Sequence, residues 1–325
     1  MKELIKKLVE AWGPSGYEHH VREIIRQEVA PFADDIRVDP LGNLICRVGK
    51  GGKKIMIAAH MDEIGVMALY TEKSSGYMRF APIGGVLNSS LLGMRVRFEN
   101  GATGVIAAHD YFGTGRTSSA ELDNFFIDVN DGSANLVPSG SPAIFWRDYE
   151  ERGSRLIAKS MDDRIGCVVA IETLKRLAET GTPNDVYFVF STQEEVGVRG
   201  AQTAANALTP DVGIALDVTL TGDMHEGVEM AVELGAGAAI KAKDAGMISH
   251  VGLVRLMKKR AAEANIAHQI EVLEGGTTDA RAMQIAGPGS AAGCISIPCR
   301  YVHSQSETVD SRDVEACIAL LTEVL

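Results

Sequence analysis

Residues 185 to 200 read DVYFVFSTQEEVGVRG, an apolar run that ends in two adjacent glutamates, Glu194 and Glu195. Neighbouring side chains of a strand point to opposite faces, so two carboxylates side by side on a continuing strand cannot serve one site. Either one of them is idle or the strand has ended and the chain has turned. Three other runs share the apolar density of DVYFVFST: KIMIAAHMD (54–62), VGIALDVT (212–219) and CISIPCRYVHS (294–304). Such runs fit strands buried on both faces. Between the first two lies DDRIGCVVAIETLKRLAE, where Ile165, Val168, Val169, Leu174 and Leu177 recur at helical spacing. The C-terminal SRDVEACIALLTEVL repeats that pattern with Val314, Ile318 and Leu321 behind a cap at Asp310 or Ser311. Buried strands alternating with amphipathic helices predict an α/β domain whose mostly parallel sheet is sandwiched by helices.

Outward from this core, Leu4, Ile5 and Leu8 stripe a first helix that stops at Gly13-Pro14-Ser15-Gly16, and Val21, Ile24, Ile25 and Val29 stripe a second. A hairpin is expected around Pro40–Asn43. The stretch from Met67 to Arg155 breaks the pattern with short candidate strands, YMRFAPI, RVRFE, TGVIAA, FFIDV and AIFWRDY, and carries the hairpin dipeptide Asn100-Gly101. It reads as a small all-β domain at 67–155 inserted into an α/β domain made of 1–66 and 156–325.

Composition narrows the classes. The chain of 325 residues is 46% hydrophobic and 23% charged, as in ordinary soluble proteins. A net charge of -11 without a basic run argues against a nucleic-acid partner. Five scattered cysteines without a C-x-x-C pair suit buried free thiols in a reducing cytosol. MKELIKKLVEAWG lacks the apolar core of a signal peptide, and no run approaches membrane-spanning length, so the expectation is a cytoplasmic protein with no membrane partner.

Five places place a metal-type ligand at the end of an apolar strand: His60, Asp162, Glu194 with Glu195, Asp217 and His303. Open α/β sheets bind ligands beyond the carboxyl ends of their strands, where these residues would converge. Each has a plainer reading. A lone histidine is more often a satisfied core or surface residue, Asp162 or Asp163 could cap the following helix, and an adjacent glutamate pair is usually solvated. The coincidence of five such sites shifts the balance, because a mixed nitrogen and oxygen set suits two divalent ions sharing a bridging carboxylate. His19, His20, His109, His225, His250 and His268 read as structural or solvated.

The ordered set HMDEIGVM, MDDRIG, QEEVGVRGA, LDVT, GGTTDA and RYVHSQSE resembles the M42 metallo-aminopeptidases, the glutamyl and tetrahedral aminopeptidase group, over nearly the whole chain. The resemblance implies that His60 and Asp217 bind one divalent ion, Glu195 and His303 the other, and that Asp162 bridges them. The ions would be zinc or cobalt, with manganese admitted by the same donors. Glu194 would be the general base, and Asp62 the carboxylate that orients the His60 imidazole. The insert would match a PDZ-like domain that drives homo-oligomerisation, from dimer to dodecamer, and a cis peptide is implied between Asp162 and Asp163. The substrate would be a short peptide with a free N-terminus. Two departures stand out: Thr277 and Thr278 both precede Asp279, and 130–146 lacks the family's acidic helical segment.

Rival readings remain at this stage. A carboxypeptidase or N-deacylase would share the scaffold and the ligand order. A glycosidase would use Glu194 and a second carboxylate but leaves both histidines without a task. A non-catalytic assembly protein would keep the ligand set without a use for it.

Overall fold

The computed structural model describes residues 1–109, 121–129, 137–225 and 227–325. The two N-terminal stripes form α1 (Lys2–Val9) and α2 (His19–Val29), with Leu4, Ile5, Leu8, Val21, Ile25 and Val29 buried. β1 (Asp35–Val38) and β2 (Leu44–Val48) pair antiparallel as the expected hairpin. Its turn is tied by the Asp39 carboxylate, which accepts from the amides of Leu41, Gly42 and Asn43. β3 (Lys54–His60) then enters the core.

Next come β4 (Gly65–Thr71), β5 (Met78–Ile83), β6 (Arg95–Phe98), β7 (Thr103–Ala108), β8 (Phe125–Asp128) and β9 (Pro142–Phe145). They close into an antiparallel barrel in the order β4-β5-β8-β7-β6-β9, so no edge is left open. Val66, Phe80, Val96, Phe98, Ile106, Ile127 and Phe145 fill it. All five short runs read from sequence lie on β5 to β9, and Asn100-Gly101 sits in the β6–β7 hairpin. The sixth strand, β4, follows so closely on HMDEI that its start is not separable by pattern. Part of the 130–146 segment, read as lacking an acidic helix, lies outside the described residues.

β10 (Glu150–Arg152) and β11 (Arg155–Ala158) return to the larger sheet. The chain continues through α3 (Met161–Thr180), β12 (Asp185–Ser191), α4 (Arg199–Leu208), β13 (Val212–Thr219) and β14 (Ala238–Lys243). It ends with α5 (Val251–Glu263), β15 (His268–Val272), α6 (Asp279–Ile285), β16 (Ala291–Arg300), β17 (Glu307–Asp310) and α7 (Ser311–Val324). The expected cap of α7 is present: the Asp310 side chain accepts from the Arg312 amide.

The large sheet runs β1-β2-β12-β3-β13-β16-β17-β11-β10, with β14 and β15 branching from β16. β12, β3, β13 and β16, the four runs singled out from sequence, pair in parallel. Their flanks β2, β14 and β17 pair antiparallel. The mostly parallel expectation therefore describes the centre, and the whole sheet is mixed. Both faces of the centre are covered, which is why its strands lack apolar and polar alternation. Ile55, Ile57, Phe188, Phe190, Ile214 and Leu216 pack on the side of α1, α2, α3 and α7, while Met56, Ala58, Val189 and Ala215 pack on the side of α4 and α6. The five cysteines are buried and free. No helix among the described residues is long and apolar enough to cross a membrane.

Candidate metal centre and active site

The central parallel strands point their carboxyl ends the same way, and Glu194, Glu195, Asp217 and His303, from or just after three of them, line one cavity. β3 delivers His60 as its last residue. Asp62 lies past that strand rather than on it, and Asp217 sits inside β13, two residues before its end. The expectation that each ligand follows a strand is thus corrected for Asp217: a side chain within the last turns of a parallel strand reaches the same space. Asp162 follows β11 at the head of α3, where the Asp162–Asp163 peptide is cis. His303 follows β16 in a turn whose Tyr301 and His303 have left-handed backbone, φ 60° and 63°.

β12 stops at Ser191, and Gln193 takes a left-handed φ of 55°. That one residue breaks the alternation of faces, and both glutamates then line the cavity. Their amides are fixed by one group: Asp62 accepts from Glu194 at 3.0 Å and from Glu195 at 3.2 Å. Ser15 donates to the same carboxylate at 2.6 Å. Gly200 lets the next helix follow at once, since a Cβ there would stand 2.5 Å from the Thr192 carbonyl oxygen.

The donor atoms are close. His60 Nε2 is 3.0 Å from Asp162 Oδ1, and His303 Nε2 is 3.4 Å from Asp162 Oδ2 and 3.3 Å from Glu195 Oε2. Asp162 is thus the carboxylate that meets both imidazoles. On the far side His60 Nδ1 approaches Asp62, 3.4 Å from its Oδ1 and 3.2 Å from its carbonyl oxygen. His303 Nδ1 bonds the Gly85 carbonyl in the loop after β5, at 2.8 Å. Ligand atoms of His60, Asp162 and Glu195 lie within 4.8 Å of one another, as do those of His60, Asp163 and Asp217.

The charges do not balance on their own. Asp62, Asp162, Asp163, Glu194, Glu195 and Asp217 gather around two imidazoles. Burial opposes ionisation of Asp162, yet bonds from His303 and His60 hold its carboxyl well below the usual range. Burial and the neighbouring Asp162 charge push Asp217 and Glu195 up. Burial also drives Glu194 well up, with His60 opposing and Asp217 adding to it. Burial disfavours the charged imidazole of His303, but its bonds to Asp162 and Glu195 prevail and push it up to about 12. A buried anionic excess of hard and borderline donors is what divalent cations neutralise, so the residues fit a metal centre.

A family model for M42 glutamyl aminopeptidases matches residues 42–320. The chain belongs to the M42 glutamyl aminopeptidase family. It is a metal-dependent aminopeptidase, a hydrolase that acts on peptide bonds. Among its relatives, the lysyl aminopeptidase of Pyrococcus furiosus is 35% identical over 99% of this chain and 96% of its own. The solved aminopeptidase APDkam598 of Desulfurococcus kamchatkensis is 39% identical, with a TM-score of 0.93 over 99% of this chain and 93% of its own. The TET1 peptidase of Pyrococcus horikoshii, described as assembling into a tetrahedron or a large octahedral shell, is 34% identical with a TM-score of 0.88 over 99% of this chain and 98% of its own.

Several roles in this M42 peptidase escaped the sequence reading. Asp163 caps α3 as one of the two expected candidates, accepting the Gly166 amide at 3.1 Å, but it also accepts the His60 amide at 3.2 Å and so braces β3. Glu307 accepts the Asp162 amide at 3.0 Å and the His303 amide at 2.8 Å. Burial and the Asp162 charge push its carboxyl up to about 8. Asp279 accepts from Ser191 at 2.5 Å. The signals for the last two were the carboxylate that ends HSQSE and the one that precedes the final alanine of GGTTDA. The extra threonine also finds a place: Thr278 caps α6 through the Ala280 amide, while Thr277 faces Asp244 and the cavity.

Proposed function

We propose that this chain removes single residues from free peptide N-termini at a centre of two divalent cations. His60 and Asp217 would hold one, Glu195 and His303 the other, with Asp162 between them; zinc, cobalt and manganese all suit these donors. Such ions lower the pKa of a water and polarise a carbonyl when bound. The protein's own part is acid–base work and orientation. Glu194 takes the proton of the attacking water as its oxygen bonds to the scissile carbonyl carbon. It returns that proton to the nitrogen as the carbon–nitrogen bond breaks. Asp62 keeps the His60 ring and the Glu194 amide in one frame, so base and ligands hold their spacing.

The observation that carries this reading is the meeting of both imidazoles on Asp162, 3.0 and 3.4 Å away, beside two cavity-facing glutamates. The cavity, about 670 Å³, is walled by Leu87, Val198, Leu220, Val228 and Leu273. Among the described residues its buried cation, Lys241, is already bonded by Glu271, to which Thr219 also donates, while the charged side chains of Glu274 and Arg281 are exposed at its wall. The apolar wall favours an uncharged, aliphatic N-terminal side chain. Leucyl substrates are expected to exceed glutamyl and lysyl ones at least tenfold in kcat/KM, since one mismatched group in a pocket is worth about 10- to 200-fold. The assay is a panel of free and N-acetylated substrates with and without chelator. Cleavage of acetylated peptides would favour the N-deacylase reading, and chelator-resistant activity on oligosaccharides would favour the glycosidase.

The barrel, which runs from Gly65 to Phe145 and so begins two residues before the expected insert and ends before its expected limit, would be the PDZ-like assembly element, as shells of the TET1 relative suggest. Leu69 and Tyr70 on β4 are 48% and 56% exposed, and Ile248, Val251 and Ile285 near α5 and α6 are 70%, 59% and 64% exposed. These side chains are where contacts between subunits are expected. Sedimentation of the full chain is expected to give a dimer or a dodecamer, and a strict monomer would refute the assignment. A cytosolic location is proposed on the same footing, from the five free thiols.

A further inference from the structure

His19 and His20 open α2, far in role from the chemistry above. Their Nε2 atoms approach one oxygen of Glu99, at 3.1 and 3.3 Å. Glu99 belongs to the barrel, directly after β6. The two rings lie 4.2 Å apart between centroids. Trp12 meets both edge-on, with centroids 6.3 Å from His19 and 5.8 Å from His20. The indole itself is anchored across the same seam, donating from Nε1 to the Arg97 carbonyl at 3.2 Å. One donor atom from each of His19, His20 and Glu99 therefore lies within 4.8 Å of the others, on a support already fixed.

Two imidazoles and one carboxylate form a borderline donor set, suited to copper(II), nickel or zinc and poor for calcium or magnesium. On binding, each ring gives its Nε2 lone pair to the ion and keeps a proton on Nδ1. The positive end of the α2 dipole disfavours a cation there, and the Glu99 charge offsets it. All three side chains are about half exposed, which leaves further coordination positions to water. We propose that His19, His20 and Glu99 form a surface transition-metal site, separate from the catalytic cluster, that clips α2 to the barrel.

Copper(II) is the probe, because it binds most tightly in the divalent series and its EPR spectrum reports nitrogen ligands. The full chain, loaded with zinc, is expected to take up one copper per chain without losing zinc from the catalytic cluster, with a spectrum showing two imidazole nitrogens. His20→Ala and Glu99→Gln are each expected to weaken that binding by at least about tenfold. Copper is also expected to raise the thermal midpoint of the parent chain but not of Glu99→Gln, since a ligand stabilises only what it bridges. These side chains lie on the surface, and circular dichroism without copper checks that the variants fold. The proposal is overturned if no copper binds below about 1 mM. It is equally overturned if Glu99→Gln binds as the parent does, or if uptake persists in a His19→Ala/His20→Ala double variant.

Discussion

Glu194→Gln is expected to keep metal content and substrate affinity while losing roughly 10²- to 10⁴-fold in kcat, the usual share of proton transfer. The amide of residue 194 is held by Asp62, so an isosteric change leaves the turn after β12 in place. What disappears is the ability to accept a proton. Glu195→Gln is the companion, because the Glu195 carboxylate contacts His303 Nε2 at 3.3 Å and lies within 4.8 Å of Asp162, the proposed bridge. It is expected to weaken one cation and to lose activity that excess metal partly restores. Metal analysis and kcat on both variants separate the tasks. Metal loss in Glu194→Gln with retention in Glu195→Gln would reverse the assignment, and full activity in both would move the chemistry elsewhere.

Asp162→Asn is expected to strip the centre more thoroughly. Among the described residues Asp162 is the carboxylate that contacts both His60 and His303, and removing its charge leaves one buried and one half-buried imidazole facing a neutral amide. Both cations are expected to fall below one per chain after dialysis. kcat/KM is expected to drop by about 10³-fold or more, since metal stabilisation of a transition state is worth several kcal/mol. The amide of residue 162 stays on Glu307, so the fold is expected to survive, as circular dichroism would verify. Retention of two cations per chain would remove Asp162 from the bridging role.

The central fold was legible because four strands are apolar on both faces, and such runs announce themselves without any partner. Of the antiparallel flanks, the β1–β2 hairpin was legible from its turn at Pro40–Asn43. The others were not: β10 has three residues, and β14 looks like any short half-apolar stretch until β16 pairs with it. Donor types could be read in order along the chain, and the meeting of His60, Asp162, Glu195 and His303 follows from parallel strands ending on one side. The bond of Asp163 to the His60 amide, and the roles of Asp279 and Glu307, stayed hidden for a different reason. A carboxylate that accepts backbone amides has no required spacing from them in sequence: Glu307 is 145 residues from Asp162. A turn before the paired glutamates was one of the two readings their adjacency left open, and nothing in the sequence placed it at Gln193, since glutamine carries no signal for left-handed backbone.

The bond from His303 Nδ1 to the Gly85 carbonyl joins a residue of the β16 turn to the loop that leaves β5. Gly85 also has no room for a side chain, since a Cβ would come within 2.7 Å of that ring. The barrel is therefore no detachable module. A protein engineer who excised it to obtain a minimal monomeric catalyst would free one imidazole from its tautomer and open one wall of the cavity. Minimisation and catalysis pull in opposite directions in this architecture, and a smaller variant would need a new acceptor for His303 built into whatever replaces the loop.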